Sequence, residues 1–295
     1  MMKLAILGSG GRLGAALARE YAQDFEVLAF DRQALDLAQP EALEKTLSAL
    51  DFDALINCAA LTNVDYCETN EAESMAINAD AAGLIGSICA KKNARCIHIS
   101  TDYVFDGEKR EPYTENDPAR AISVYGESKL RGEKRLAEAT DGAGLSVRVS
   151  WVFGPDRLSF VDGVIKRALE NDQAAAVADK WAVPTYTLDV ATMLKPFINE
   201  LRAEGGVLHL CNGGVASWQE YGQYALNCAA AAGMPLKTCT VGALKLTDLK
   251  NFVAARPVYS AMATDRLERL VGKPREWKLA VAEYVCRHVA VGPVA

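Results

Sequence analysis

The first half of the chain alternates short, nearly unbroken apolar runs with longer stretches whose apolar positions recur at helical spacing. KLAILG (3–8), EVLAFD (26–31), DALINCAA (53–60), ARCIHIS (94–100) and LSVRVSWVFG (145–154) predict strands. Between them, GRLGAALAREYAQ (11–23), PEALEKTLSAL (40–50), the alanine-rich AESMAINADAAGLIGSICAKKN (72–93) and a segment opening with SVYGESKLRGE (123–133) predict helices. Strands that are apolar on both sides belong in a parallel sheet covered on both faces, and right-handed crossovers then wind helices onto each face in turn. The expected fold class is α/β, a doubly wound parallel sheet with its ligands beyond the carboxyl ends of the strands.

After about residue 155 the alternation loosens. Helices are expected over 160–171, over 187–204 with a kink at Pro196, over 217–233 with Ser217 as N-cap, and over 276–290, with one strand at 207–212. Turn clusters NGG (212–214) and ARPVYS (255–260) separate these pieces. We therefore expect a dinucleotide-binding domain over 1–154 and a smaller, irregular substrate region over 155–295, some of whose segments return to the sheet.

LGSGGRLG follows the first strand and opens the first helix, with Gly8, Gly11 and Gly14 three residues apart and Gly10 added. Such glycines allow a tight turn, close approach of backbone to a pyrophosphate, and a helix N-terminus facing the anion. Between strand one and helix one, with Asp31 ending strand two, the loop reads as the dinucleotide fingerprint of a Rossmann fold. Asp31 would accept from the adenosine ribose hydroxyls of NADH, whereas Arg12 and Arg32 would suit the 2′-phosphate of NADPH, so either cofactor is compatible. Asp36 is either an adenine neighbour or a plain loop aspartate.

Composition narrows the class mainly by exclusion. Net charge is −6 with scattered basic residues, which gives no footprint for nucleic acid or an anionic membrane surface. No apolar run approaches the ~20 residues that span a bilayer. Eight cysteines, none paired at metal-ligand spacing, suggest reduced thiols and a cytoplasmic protein. His98, His209 and His288 are too dispersed for a zinc site and read as core or surface histidines; no metal is expected.

Tyr125 and Lys129 stand i, i+4 at the start of a helix, beside two glycines, Gly126 and Gly132. Each glycine costs a helix about 1 kcal/mol relative to alanine. With the glycine loop in place, STDYVFDG (100–107) and the Tyr-Gly-Glu-Ser-Lys run gain a meaning: the chain resembles the extended short-chain dehydrogenase/reductase superfamily. More narrowly it resembles the dTDP-4-dehydrorhamnose reductases, through NCAALTNVDYCE (57–68), SWVFG (150–154), VADKWAVPTYTLDVA (177–191), HLCNGGVASW (209–218) and ARPVYSA (255–261). The resemblance implies hydride delivery from NADPH or NADH to the C4 ketone of a nucleotide-linked 6-deoxy-4-keto sugar. It implies Thr101 as donor to the carbonyl oxygen, Tyr125 as proton donor and Lys129 as ribose clamp. Leu13, Leu37, Cys58, Ala59 and Ala60 are then expected along the cofactor, and Thr62, Val64, Asp102 and Trp151 along the sugar, with Asn78 supporting the lysine through water. Tyr103 reads as structural, and Arg256 as either a diphosphate ligand or a surface ion pair. Ser159 and the bulky Trp181-Ala182-Val183 depart from the family pattern.

A phenol of pKa about 10 is a poor acid at neutral pH, and a nearby ammonium would favour its phenolate. We therefore expect Lys129 to acidify Tyr125. Two other readings remain at this level: an epimerase or dehydratase of the superfamily, with Asp102 as the added acid, and a cofactor-binding regulatory subunit without turnover. A homodimer is compatible with either.

Overall fold

In the computed structural model, which describes residues 1–290, five of the expected strands form β1 (Lys3–Leu7), β2 (Glu26–Phe30), β3 (Ala54–Asn57), β4 (Arg95–Thr101) and β5 (Leu145–Val149). Together with Gly206–His209 they make one six-stranded sheet, in the order Gly206–His209, β5, β4, β3, β1, β2, every pairing parallel. Alternate β1 side chains serve opposite faces. Leu4 and Ile6 join a core with Leu13 and Leu17 of α1 (Arg12–Tyr21) and with Val190 and Leu194 of the Thr187–Leu194 helix. Ala5 and Leu7 join the other core, with Leu43 and Leu47 of α2 (Pro40–Ala49), Ile85 and Ile88 of the Ala81–Lys91 helix and Leu136 of the Val124–Ala139 helix. Burial on both sides is what an unbroken apolar strand requires.

The chain leaves β1 toward β2 on one side and reaches β3 on the other, so the loops after β1 and β3 diverge. That divergence opens a crevice at the carboxyl ends of the strands.

Three expected elements differ in instructive ways. The helix over 72–93 begins at Glu71 and is interrupted by a π-helical turn, Ala76–Asp80, which turns the Asn78 amide toward Leu61 and Ser128. The run 145–154 stops at Val149, because Trp151 takes a left-handed backbone (φ 37°), before a two-residue strand, Val152–Phe153. The helix expected over 187–204 ends at Leu194 and passes into a 3₁₀ turn, Lys195–Ile198, where Pro196 lacks the donor to continue it.

Beyond residue 155, helices Phe160–Glu170, Trp218–Ala231 and Trp277–Tyr284 enclose a separate core around Val164, Tyr221, Ala225 and Val281. Ser217 caps the second of these: its Oγ accepts from the Glu220 amide at 3.1 Å, and its own amide donates to the Glu220 carboxylate at 2.8 Å. The short helices Val64–Thr69 and Asp265–Val271 and the paired strands Ala174–Val177 and Val241–Leu244 were not expected from the sequence. Among the described residues no helix is long and apolar enough to cross a membrane.

Candidate active site

The glycine loop is as tight as a backbone allows. Gly8 has φ 79°, and a β-carbon on it would stand 2.6 Å from the Ala59 nitrogen; one on Gly14 would stand 2.2 Å from the Gly8 oxygen. Gly11 caps α1 without a side chain, so the first-turn amides of that helix take no side-chain acceptor from it. These features suit the diphosphate of a dinucleotide.

Two adjoining clefts open here, sharing Gly11, Cys58 and Ala60. The first, about 390 Å³, runs from Gly8, Gly10 and Gly11 past Ala59 to Asp31, Arg32, Asp36 and Leu37. Asp31 Oδ1 accepts from the Ala34 amide at 2.9 Å, and Arg32 reaches Asp36 at 3.4 Å. Arg12 is not at this end. Its guanidinium donates to the carbonyls of Val152 (3.1 Å), Arg157 (3.2 Å) and Leu158, tying α1 to the segment after β5, and it borders the second cleft instead. The arginine that does join Asp31 and Arg32 is Arg157, which donates twice to the Gly10 carbonyl, at 2.9 and 2.6 Å.

The second cleft, about 380 Å³, is bordered by Leu13, Gly14, Thr62, Val64, Thr101, Asp102, Tyr103, Tyr125, Lys129 and Trp151, among others. Thr101 ends β4, and its Oγ1 accepts from the Tyr103 amide at 3.2 Å. Tyr125 lies in the first turn of its helix, which Ser123 caps by accepting from the Gly126 amide at 3.3 Å. Burial pushes the Tyr125 phenol above its ordinary value, a hydrogen bond with Thr101 opposes this, and Asp102 adds to it. Tyr103, read from sequence as structural, meets the Tyr125 ring edge-on at 5.7 Å and borders the cleft.

Lys129 is 2% exposed. Its Nζ donates to the Ile99 carbonyl at 2.7 Å and stands 3.0 Å from His98 Nε2. Burial lowers its pKa to about 8, against the pull of Glu133 and Cys58. The expectation that Lys129 acidifies Tyr125 is therefore not met here: the amine is turned onto β4, and burial governs the phenol. Asn78 has its direct partners elsewhere than the lysine. Its amide bonds both backbone groups of Leu61 (2.8 and 3.0 Å) and Ser128 Oγ (3.0 Å), anchoring the loop after β3 to the tyrosine helix.

Around these residues the buried charges are met by hydrogen bonds. Glu133, one turn beyond Lys129, accepts from Arg148 at 2.9 and 2.7 Å and from Ser100 Oγ at 2.5 Å, which ties the helix to β4 and β5. Asp102 accepts from Ser260 Oγ at 2.5 Å; burial raises its pKa while Lys180 opposes. Lys180 is itself buried under Tyr103, 5.0 Å from the ring, donates to the Pro257 carbonyl, and has a pKa lowered to about 8, chiefly by burial.

Trp151 borders the second cleft, stacks on Tyr221 at 6.2 Å, and leaves its buried Nε1 without a hydrogen-bond partner. A strained backbone and an unpaired buried donor at one residue are characteristic of functional sites. Arg256, by contrast, borders neither cleft. Its fork is taken by Asp65 at 3.0 and 2.7 Å, and it stacks 3.5 Å over Phe252, so the ion-pair alternative is the one realised. Ser159 starts the Phe160–Glu170 helix by donating amide and hydroxyl to Asp162, and Trp181 borders a separate surface groove. Among the described residues no cluster of His, Cys, Asp or Glu could hold a metal ion.

A parallel α/β sheet with a glycine turn at its crevice and a Thr–Tyr–Lys group beside it defines a dinucleotide-binding protein of the short-chain dehydrogenase/reductase type. The chain matches the family described as the RmlD substrate binding domain over residues 2–289. It is 32% identical to the dTDP-4-dehydrorhamnose reductase of Burkholderia thailandensis, over 95% of this chain and 97% of that one. A dTDP-4-dehydrorhamnose reductase structure from Clostridium acetobutylicum superposes with TM-score 0.89 at 31% identity, covering 96% of this chain and 98% of the other. One from Bacillus anthracis, in complex with NADP, superposes with TM-score 0.89 at 28% identity, covering 96% and 99%. The chain belongs to the dTDP-4-dehydrorhamnose reductase family.

Proposed function

We propose that this protein is an NAD(P)H-dependent oxidoreductase that reduces the C4 ketone of dTDP-4-dehydro-L-rhamnose to give dTDP-L-rhamnose. The observation that carries the reading is the convergence of Thr101, Tyr125 and Lys129 on a cleft continuous with the glycine-loop cleft. Gly8, Gly10 and Gly11 with the N-terminus of α1 would hold the diphosphate, and Asp31, Arg32 and Asp36 the adenosine end. The bound cofactor supplies a hydride.

Thr101 and Tyr125 offer two hydroxyls to the ketone oxygen as negative charge develops there. Its raised pKa keeps the Tyr125 phenol protonated, so it can deliver its proton to that oxygen. Lys129, held by the Ile99 carbonyl, would serve as the ribose clamp. Trp151, with its free Nε1, lines the sugar's end of the cleft with Thr62 and Val64. Eight free thiols suit a cytoplasmic enzyme, and self-association is to be read from its mass in solution.

The test is absorbance-monitored NADPH or NADH consumption with enzymatically generated dTDP-4-keto-L-rhamnose. Consumption with formation of dTDP-L-rhamnose supports the assignment. Cofactor binding without turnover on any 4-keto sugar overturns it in favour of a regulatory subunit.

A further inference from the structure

Beneath the site lies a hydrogen-bonded chain whose polarity is fixed from one end. The Ala59 backbone amide can only donate, and it donates to Asn57 Oδ1 at 3.1 Å. The Asn57 side chain therefore turns its NH₂ toward His98, whose Nδ1 at 3.1 Å must be a bare acceptor. A neutral imidazole with bare Nδ1 carries its proton on Nε2. That N–H points at Lys129 Nζ, 3.0 Å away, while Nζ itself donates to the Ile99 carbonyl at 2.7 Å. An ammonium cannot accept a hydrogen bond, so this arrangement belongs to the free amine, its lone pair facing Nε2–H.

We propose that His98 is the positioning residue of Lys129, the two titrating as one unit in which the imidazole carries its single proton on Nε2 while the lysine is an amine and on Nδ1 when it is an ammonium. The pair takes up one proton: Nε2 gives its proton to Nζ across the 3.0 Å contact, Nδ1 takes one from solvent, and the imidazole stays neutral. The Nδ1–H form then meets the wrong end of Asn57, whose amide must rotate and release the Ala59 N–H. Ala59 borders the first cleft and lies against the Gly8 turn, so the charge on Lys129 is linked to the loop that a dinucleotide would touch. The inference rests on the reductase reading for its catalytic meaning, although the linkage itself does not require turnover.

The charged and titratable groups around the pair are few. Glu133 and Tyr125 come from the lysine's own helix and Cys58 from the loop after β3; Glu133 is already matched by Arg148 of β5. Burial and the neighbouring lysine hold the imidazole itself in its neutral form.

The experiment is nitrogen NMR of the imidazole and carbon NMR of the lysine side chains, on the full chain without added cofactor, with Lys129→Met and His98→Phe assigning the signals. We expect the His98 proton on Nε2 above the Lys129 midpoint and on Nδ1 below it. In His98→Phe the ammonium loses its Nε2 acceptor, a charge-assisted bond stronger than the N–H···amine bond lost from the neutral form, so the lysine midpoint should fall by about one pH unit, a tenfold change in its protonation constant. An imidazole whose tautomer does not change across that midpoint overturns the proposal, and this wild-type measurement stands even where His98→Phe does not fold. Neither outcome depends on sugar reduction, so failure of the linkage and failure of the reductase assignment are separable.

Discussion

Gly132 sits so close beneath the carbonyl of Asn78 that a β-carbon on it would stand 2.3 Å from that oxygen. Gly126 stands in the same relation to Tyr103, at 2.2 Å from its carbonyl oxygen. These are the two residues that seemed to weaken the Tyr125 helix, and the contacts explain them: a backbone carbonyl is the nearest neighbour of each. Gly132→Ala and Gly126→Ala should each destabilise the fold by roughly 1–3 kcal/mol, the usual range for overpacking. Gly163, in the Phe160–Glu170 helix, has no atom nearer than 4.0 Å to its built β-carbon. Gly163→Ala should therefore stabilise by about 0.4–1 kcal/mol. Denaturant midpoints of the three variants check the contrast; an equal effect at all three positions contradicts it.

Tyr125→Phe removes the phenol that hydrogen-bonds Thr101 while leaving the ring and its edge contact with Tyr103 in place. Turnover should fall by about 10²- to 10⁴-fold, the range for losing a general acid. Cofactor affinity, measured by fluorescence titration, should be unchanged. Turnover near the wild-type rate takes Tyr125 out of the mechanism.

The legible features were those in which a local pattern reports its own cause. Leu4 and Ile6 against Ala5 and Leu7 need two apolar faces whatever lies across from them, so a parallel sheet could be read directly. The glycine loop and the Tyr125–Lys129 spacing likewise report short-range geometry. Partnerships across long separations could not be read. Arg256 is 191 positions from the Asp65 that takes up its fork, and nothing local distinguishes that ion pair from a diphosphate. His98 sits in an apolar strand, where a satisfied core histidine and a lysine's partner look identical; only the 3.0 Å contact separates them. Arg157 lies in an aperiodic loop, and the two-residue strands after Val149 are too short to show a period.

Arg157 offers a separable test of how the cofactor loop is held. Its guanidinium bridges the segment after β5 to the Gly10 carbonyl and borders the adenosine end of the first cleft. Arg157→Ala should raise KM for the dinucleotide by about 3- to 10-fold, which corresponds to losing one or two modest hydrogen bonds near the surface. The kcat at saturation should be unaffected, because Arg157 does not border the cleft that holds Thr101, Tyr125 and Lys129. A fall in kcat with KM unmoved contradicts this placement.

Lys129 makes stability depend on alkaline pH with a definite sign. Its pKa is about 8 in the folded chain, chiefly because of burial, against an ordinary 10.5. Between those values the unfolded chain binds more protons than the folded one, so unfolding free energy rises with pH. Below about 8 both states hold the proton, and the folded protein bears the full cost of a buried ammonium. Above about 10.5 neither state holds it, and the cost is gone. In Lys129→Met the contribution is absent, while that of Lys180, also lowered to about 8, is retained. The difference in unfolding free energy, wild type minus Lys129→Met, should therefore climb by roughly 3 kcal/mol from pH 8 to 10.5, at 1.36 kcal/mol per pKa unit. Denaturant titrations of both proteins across that interval give the difference directly. A flat difference would mean that the lysine keeps its proton in the folded chain, with His98 presenting a bare nitrogen to it throughout.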